Sequence, residues 1–135
     1  MDYQIWKRNP NLISGQEYVT NQLVAREAST KGFDAIIDEY VYINSENVNS
    51  TFNIIPKSSE LIHGIGIDLG GGVGCISSTL AKRDSVDKIY CVELVEDAVK
   101  LCHNIVKQEI LKNEKHKVVS VVGDYDNLEL EDNSI

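Results

Sequence analysis

The feature that most constrains this chain is a glycine-rich turn between an apolar, alternating run and a run with helical spacing. Six glycines lie between His63 and Ser78, in the sequence HGIGIDLGGGVGCISS. Glycine permits positive φ and lets a ligand approach the backbone closely, and the helix that follows begins with free amides. The turn therefore predicts a strand–turn–helix unit that binds a ligand at its backbone.

Downstream of this turn the same strand–helix order repeats. Hydrophobic periodicity predicts strands at 65–69, 88–94 and 117–122, and helices at 73–82 and 95–111. Strands that alternate with helices indicate βαβ units and a parallel sheet. We therefore predict an α/β fold, a Rossmann-like parallel sheet flanked by helices, over residues 57–135.

Residues 1–56 are predicted to form a separate N-terminal helical segment. Helices are expected at about 15–31 and 33–41, followed by a linker or mobile loop at 44–53, which is rich in Asn and Ser. This segment is a candidate lid over the active site. Its aromatic residues would either line that site or pack the helices onto the sheet: Tyr3, Trp6, Tyr18, Tyr40 and Tyr42.

Charge and composition exclude several functions for the 135-residue chain. The net charge of −8 disfavours nucleic acid as a partner, because like charges repel. We also expect no membrane partner, since no apolar run approaches the length of a membrane span and the first residues lack a secretory signal. The three cysteines lack the spacing of a metal or redox motif, so we predict that they are small core residues and that the protein has no metal site. Free cysteines are typical of a reducing compartment, so we expect a cytoplasmic protein.

Asp68, at the start of the glycine cluster, distinguishes between kinds of ligand. A dinucleotide-binding G-x-G-x-x-G pattern would need glycine at position 75, where Cys75 stands, and a P-loop would need a lysine that the turn lacks. A carboxylate beside a pyrophosphate costs electrostatic energy, whereas beside a cation it gains energy. The turn therefore favours a ligand with positive charge and no phosphate.

The run from Ile67 to Gly74 resembles the first motif of the class I S-adenosylmethionine-dependent methyltransferases, and the resemblance extends over roughly 61–135. It is similar to the N-terminal half of the small-molecule type. The resemblance implies S-adenosylmethionine as cofactor, S-adenosylhomocysteine as product, and a cofactor loop formed by Asp68, Gly70, Gly71, Gly72 and Gly74. In the family, the acid at the position of Asp68 lies near the methionyl ammonium; alternatively, Asp68 only holds the turn.

Glu93 is the acidic residue expected about 20 residues beyond a nucleoside-binding glycine turn. One carboxylate accepts hydrogen bonds from both ribose hydroxyls, and the resemblance implies this role for Glu93, with Leu94 beside it. The alternative is an acid that favours a helix N-terminus, a role that suits Glu96 and Asp97 better.

A third match to the family is Gly123-Asp124-Tyr125, which follows the last predicted strand. The resemblance implies that Asp124 accepts from the adenine amino group and that the Tyr125 amide reaches a ring nitrogen. The alternative is that Gly-Asp simply forms a turn.

Two further expectations concern the first strand. Gly66 interrupts it, which suggests that a helix packs tightly over that position. In the family the first strand lies beside the fourth, but the chain ends at Ile135, where the fourth should begin. We therefore expect an exposed edge, and either a truncated methyltransferase domain or a homodimer that completes the sheet.

The sequence thus predicts a methyltransferase acting on a small-molecule or protein acceptor, with this chain as its cofactor-binding half. Two alternatives remain open: an NAD- or FAD-linked Rossmann oxidoreductase, and a non-catalytic methyltransferase-like interaction module or inactive fragment. No residue is assigned as a general base, and the methylated atom is not predicted.

Overall fold

The computed structural model describes residues 3–8, 46–112 and 117–135. The strands in these ranges are β1 (Gln4–Ile5), β2 (Gly64–Leu69), β3 (Val86–Glu93) and β4 (Val118–Val122). They form one parallel sheet in the order β1-β4-β3-β2. The helices are α1 (Ser58–Leu61), α2 (Cys75–Leu80) and α3 (Glu96–Lys112), and residues 46–54 are also helical. The predicted Rossmann-like α/β fold is confirmed.

The five predicted elements downstream of residue 57 are confirmed to within two residues at each end. The periodicity of β3, α3 and β4 was the clearest, because these elements bury apolar side chains at regular intervals. The buried side of α3 contains Ala98, Val99, Cys102 and Val106, and Val95 is buried immediately before the helix. The predicted helices at 15–31 and 33–41 lie outside the described residues.

The described N-terminal residues form a strand that the sequence did not predict, while the predicted N-terminal helical segment stays a prediction. β1 pairs with β4 in parallel, Gln4 opposite Val121 and Ile5 opposite Val122, so the described sheet has four strands, one more than predicted. The amide of Trp6 also donates to the Val122 carbonyl, at 2.8 Å. A strand of two residues is too short to show a period in the sequence, so only the tertiary pairing reveals it.

The predicted linker at 44–53 is wrong over most of its length, because residues 46–54 are helical. Val48 and Phe52, one turn apart, are half-buried, and the Arg83 guanidinium carbon lies 6.0 Å from the centre of the Phe52 ring. Thr51 Oγ1 donates to the Asn47 carbonyl at 2.9 Å. Asn and Ser have weak helix propensity, but tertiary contact outweighs such small differences.

The core lies on both faces of the sheet. On one face, Cys91 and Val118 pack against Cys102 and Val106 of α3. On the other, Trp6 packs against Val92 and Val121, with partly buried neighbours around them: Ile67, Tyr90, Val119 and Leu130. Trp6 is therefore a packing residue, whereas Tyr18, Tyr40 and Tyr42 lie outside the described residues.

No helix among the described residues covers Gly66, contrary to expectation. No described atom lies within 4 Å of the Cβ that a side chain at position 66 would have. The helices α2 and α3 pack mainly against β3 and β4, so they leave this part of β2 uncovered. Close packing by the described residues therefore does not explain the glycine.

β2 is an edge strand in the described part of the chain, as predicted, because it pairs only with β3. Its apolar residues Ile65 and Leu69 are 40% and 50% exposed. Among the described helices, none combines the length and apolar character needed to cross a membrane.

Candidate functional site

The carboxyl ends of β2, β3 and β4 meet at one edge of the sheet, and a cavity of about 280 Å³ lies between them. Four predicted site residues line it: Gly70, Glu93, Leu94 and Tyr125. Three further residues line the cavity and were not predicted as site residues: Leu69, Val92 and Gly123. Each of them is adjacent in the sequence to a residue that was predicted. Ligands of parallel α/β sheets bind at this edge, where the strand ends leave a crevice.

The glycine turn is tied to β3 by its backbone. The amides of Gly70 and Gly71 both donate to the Val92 carbonyl, at 2.8 and 3.1 Å. The amide of Gly74 donates to the Gly71 carbonyl at 2.9 Å. These hydrogen bonds hold the turn above the end of β3, beside the cavity.

Two of these glycines lie directly against thiols. A Cβ at Gly71 would come within 2.5 Å of Cys91 Sγ, and a Cβ at Gly74 within 2.5 Å of Cys102 Sγ. Gly74 also has φ of 83°, a conformation that side chains rarely adopt. Glycine is therefore required at both positions for physical reasons that do not depend on a ligand.

Glu93 joins the turn to the end of β3. Its Oε2 accepts from the Gly72 amide at 3.1 Å, and its Oε1 accepts from the Val95 amide at 3.0 Å. A carboxylate has about four acceptor positions, so roughly two remain for further donors. Glu96 and Asp97 lie in the first turn of α3, where negative charge favours a helix N-terminus, as the sequence predicted. Glu93 lies before this helix and lines the cavity instead.

Asp68 lies beside the turn but does not line the cavity. Its Oδ2 accepts from the Ser77 hydroxyl at 2.7 Å, so the carboxylate links β2 to the first turn of α2. A Cβ at Gly71 would also lie 3.1 Å from Asp68 Oδ2. These contacts agree with the turn-holding role; nearness to a methionyl ammonium stays a prediction.

Asp124 is fully buried, whereas its neighbour Tyr125 is 60% exposed at the rim of the cavity. Asp124 Oδ1 accepts from the Asp126 amide at 2.8 Å, which is the turn geometry given as the alternative. Asp124 does not line the cavity, nor do Gly71, Gly72 and Gly74. The contact between Asp124 and adenine remains a prediction, whereas Tyr125 is on the cavity surface.

The three cysteines are free thiols grouped beneath the turn. Cys91 and Cys102 are buried, as predicted, and Cys75 is half-buried. The neighbouring Cys102 thiol, together with burial, raises the pKa of Cys91, and burial raises the pKa of Cys75 to about 11. Since the thiolate is the reactive form, Cys75 and Cys91 are packing groups rather than nucleophiles. Within the described residues, no cluster of His, Cys, Asp or Glu is arranged to hold a metal ion.

No family model matches the sequence, and no curated protein matches it. A solved structure similar to the chain is a protein of Methanococcus maripaludis, provisionally described as an S-adenosyl-L-methionine-dependent methyltransferase, with 22% identity and a TM-score of 0.47. The match covers 87% of this chain and 46% of that protein, so the chain spans less than half of its length.

Proposed function

We propose that this chain binds S-adenosylmethionine and forms the cofactor-binding part of a methyltransferase. The observation that carries the proposal is the position of Glu93. Its carboxylate ends β3, bridges to the glycine turn through the Gly72 amide, and lines the cavity. A carboxylate with spare acceptor positions beside a cavity that is apolar in part is suited to a ribose, whose two hydroxyls are both donors.

The cavity fits the nucleoside part of such a ligand. Its volume of about 280 Å³ is close to the lower end of the roughly 300–1,000 Å³ found for small-molecule sites. Leu69, Val92 and Leu94 provide apolar walls, and the Tyr125 ring is at the rim. Asp68, beside the turn, would then favour the cationic end of the ligand.

S-adenosylmethionine, when bound, supplies a methyl group on a sulfonium that is open to displacement by an acceptor. The residues of this chain would bind and orient: Glu93 the ribose, the glycine turn the adjoining chain, and Asp68 the positive charge. Holding two reactants in line accounts for a large share of the rate in such transfers. We assign no general base among the described residues.

The dinucleotide alternative receives less support from the cavity. A pyrophosphate would need positive charge or free amides, but no Lys or Arg is among the described residues that line the cavity, and Glu93 adds negative charge. The non-catalytic alternative differs in its outcome, because it predicts no transfer to any acceptor.

We further propose a small-molecule or protein acceptor and a cytoplasmic location. The net charge of −8 opposes nucleic acid as the acceptor. Three free thiols, two of them buried against each other without a disulfide, support a reducing compartment.

The proposal is tested by calorimetric titration of the chain with S-adenosylhomocysteine, S-adenosylmethionine and NADH. We expect the first two to bind and NADH not to bind. Glu93→Ala should weaken S-adenosylhomocysteine at least about tenfold, because hydrogen bonds to a charged group contribute roughly 1.5–3 kcal/mol each and 1.4 kcal/mol is tenfold.

Glu96→Gln is the matched control, since it removes the same charge three residues away, in α3 rather than in the cavity wall. It should leave the affinity nearly unchanged. Failure of the folded wild-type chain to bind either S-adenosyl ligand would refute the proposal, and NADH binding alone would favour the oxidoreductase. Equal loss in both variants would mean that net charge, not Glu93, determines binding.

A further inference from the structure

The N-terminal residues 3–8 contact the same edge of the sheet that carries the cavity. Beyond β1, the Trp6 amide donates to the Val122 carbonyl, one residue before the cavity-lining Gly123. The Lys7 amide donates to Glu129 Oε1 at 3.1 Å. Residues 3–8, which we name the N-terminal strap, therefore run along the carboxyl ends of β3 and β4.

Arg8 makes the contact closest to the cavity. Its Nη1 donates to the Leu94 carbonyl at 2.7 Å, and Leu94 is a cavity-lining residue. A guanidinium donor gives a charge-assisted hydrogen bond, which is shorter and stronger than one between neutral groups. The Arg8 side chain is half-buried, so solvent weakens this bond less than it would at a fully exposed site.

The peptide that Arg8 contacts lies within the turn that orients Glu93. Glu93 Oε1 accepts from the Val95 amide at 3.0 Å, so the turn from 93 to 95 is held from inside by that bond and from outside by Arg8. Loss of the outer bond would free the Leu94 peptide to rotate. Rotation would break the bond from the Val95 amide, and the Glu93 carboxylate would then be held by the Gly72 amide alone.

Several carboxylates lie close together at the carboxyl end of β3, where the positive charge of Arg8 reduces their mutual repulsion. Glu93, Glu96 and Asp97 lie within five residues, and Glu96 accepts a hydrogen bond from the Tyr3 hydroxyl of the strap at 2.7 Å. The Tyr3 hydrogen bond lowers the pKa of Glu96, and the charge of Arg8 acts in the same direction. Arg8 therefore also offsets repulsion among the carboxylates at this end of β3.

We propose that Arg8 is a positioning residue for the ligand cavity: it holds the Leu94 peptide and thereby directs the Glu93 carboxylate toward the ligand. This inference rests on the proposed function for its ligand. Nothing in the sequence indicated it, because Arg8 is 86 residues from Leu94. It makes Arg8, through its side chain, a part of the site.

The test compares Arg8→Ala, Arg8→Lys and Lys7→Ala in the full chain by calorimetry with S-adenosylhomocysteine. Lys7→Ala is the matched control, since it removes the same charge from the same strap, and the contact found for Lys7 uses its backbone. We expect Arg8→Ala to weaken binding about tenfold, equal to about 1.4 kcal/mol, and Lys7→Ala to change it less than about twofold. Arg8→Lys should recover part of the loss, because lysine keeps a charged donor without the planar fork.

A second measurement separates positioning from general stability. Amide hydrogen exchange should accelerate at Val95 and Gly72, the amides bound by Glu93, in Arg8→Ala but not in Lys7→Ala, while exchange within β3 and β4 stays unchanged. Uniform acceleration throughout the sheet would indicate a merely structural role and would overturn the proposal.

The outcomes also separate this inference from the proposed function. If the wild-type chain binds and Arg8→Ala binds equally well, the inference is wrong and the proposed function stands. If the folded wild-type chain does not bind, the proposed function fails and the ligand part of this inference fails with it.

Discussion

At the scale of single residues, two glycines on β2 and its turn have opposite surroundings. A Cβ at Gly71 would lie 2.5 Å from Cys91 Sγ and 3.1 Å from Asp68 Oδ2, whereas a Cβ at Gly66 would meet no described atom within 4 Å. Neither position has a positive φ, so the difference is one of space alone. Glycine content by itself therefore does not identify which positions are constrained.

Gly71→Ala should lower the free energy of unfolding by about 1–3 kcal/mol, the usual cost of forcing an extra group into a packed site. Gly66→Ala should raise it by roughly 0.5–1 kcal/mol, because glycine within a strand is more flexible in the unfolded chain. Urea denaturation measures both. In the double variant Gly71→Ala with Cys91→Ala, part of the first cost should disappear; a strictly additive result would contradict the proposed thiol contact.

Cys75 predicts a stability change at alkaline pH. Burial raises its pKa from about 9 to about 11, so between these values the folded chain keeps a proton that the unfolded chain has lost. The unfolded state then binds fewer protons, and the free energy of unfolding falls as pH rises through this window. We expect this fall to be smaller in Cys75→Ser, measured by urea denaturation at pH 8 to 11. Parallel pH profiles for the two proteins would show that Cys75 does not contribute.

At the scale of elements, β1 depends on one side chain. The strand has only two residues and ends immediately before Trp6, which is 6% exposed and packs against Val92 and Val121. Its ring also lies 6.0 Å from that of Tyr90, and Nε1 donates to Gln4 Oε1 at 3.2 Å. Two backbone pairs alone would hold such a strand weakly, so Trp6 anchors it.

Trp6→Ala should therefore destabilise the chain by about 3–5 kcal/mol, the range for removing a large buried aromatic side chain. Ile5→Ala, at a neighbouring residue that is 51% exposed, should change stability by less than about 0.5 kcal/mol. Thermal and urea unfolding followed by far-ultraviolet circular dichroism measure both. If Trp6→Ala does not fold, Trp6→Phe provides the comparison, and an effect equal to that of Ile5→Ala would contradict the anchoring role.

At the scale of the whole molecule, the uncovered edge of β2 is the feature that invites association. Backbone groups on the side of β2 away from β3 have no strand partner among the described residues, and Ile65 on that strand is 40% exposed. Proteins usually protect such edges with charge, twist or a covering segment. The net charge of −8 opposes association through repulsion between chains, and dissolved salt screens this repulsion.

We expect the chain to self-associate through this edge, and more strongly as salt is raised. Ile65→Lys should reduce the association, because a charged lysine on an edge strand opposes pairing. Ile76→Lys introduces the same charge at a residue that is 42% exposed on α2, away from the strand, and should have little effect. Sedimentation velocity over a range of concentrations distinguishes them. A wild-type monomer throughout, or equal effects of the two substitutions, would refute an interface at β2.

The sequence by itself determined the order of strands and helices from residue 64 onward, the glycine turn, and the acid that ends β3. These features are local: periodicity, turn chemistry and spacing appear in a few adjacent residues. It did not determine β1, the helix at 46–54 or the open space around Gly66, since each depends on neighbours far along the chain. Only the tertiary structure brought Arg8 to Leu94 and the thiols beneath the turn, because contacts between distant segments leave no local pattern to read.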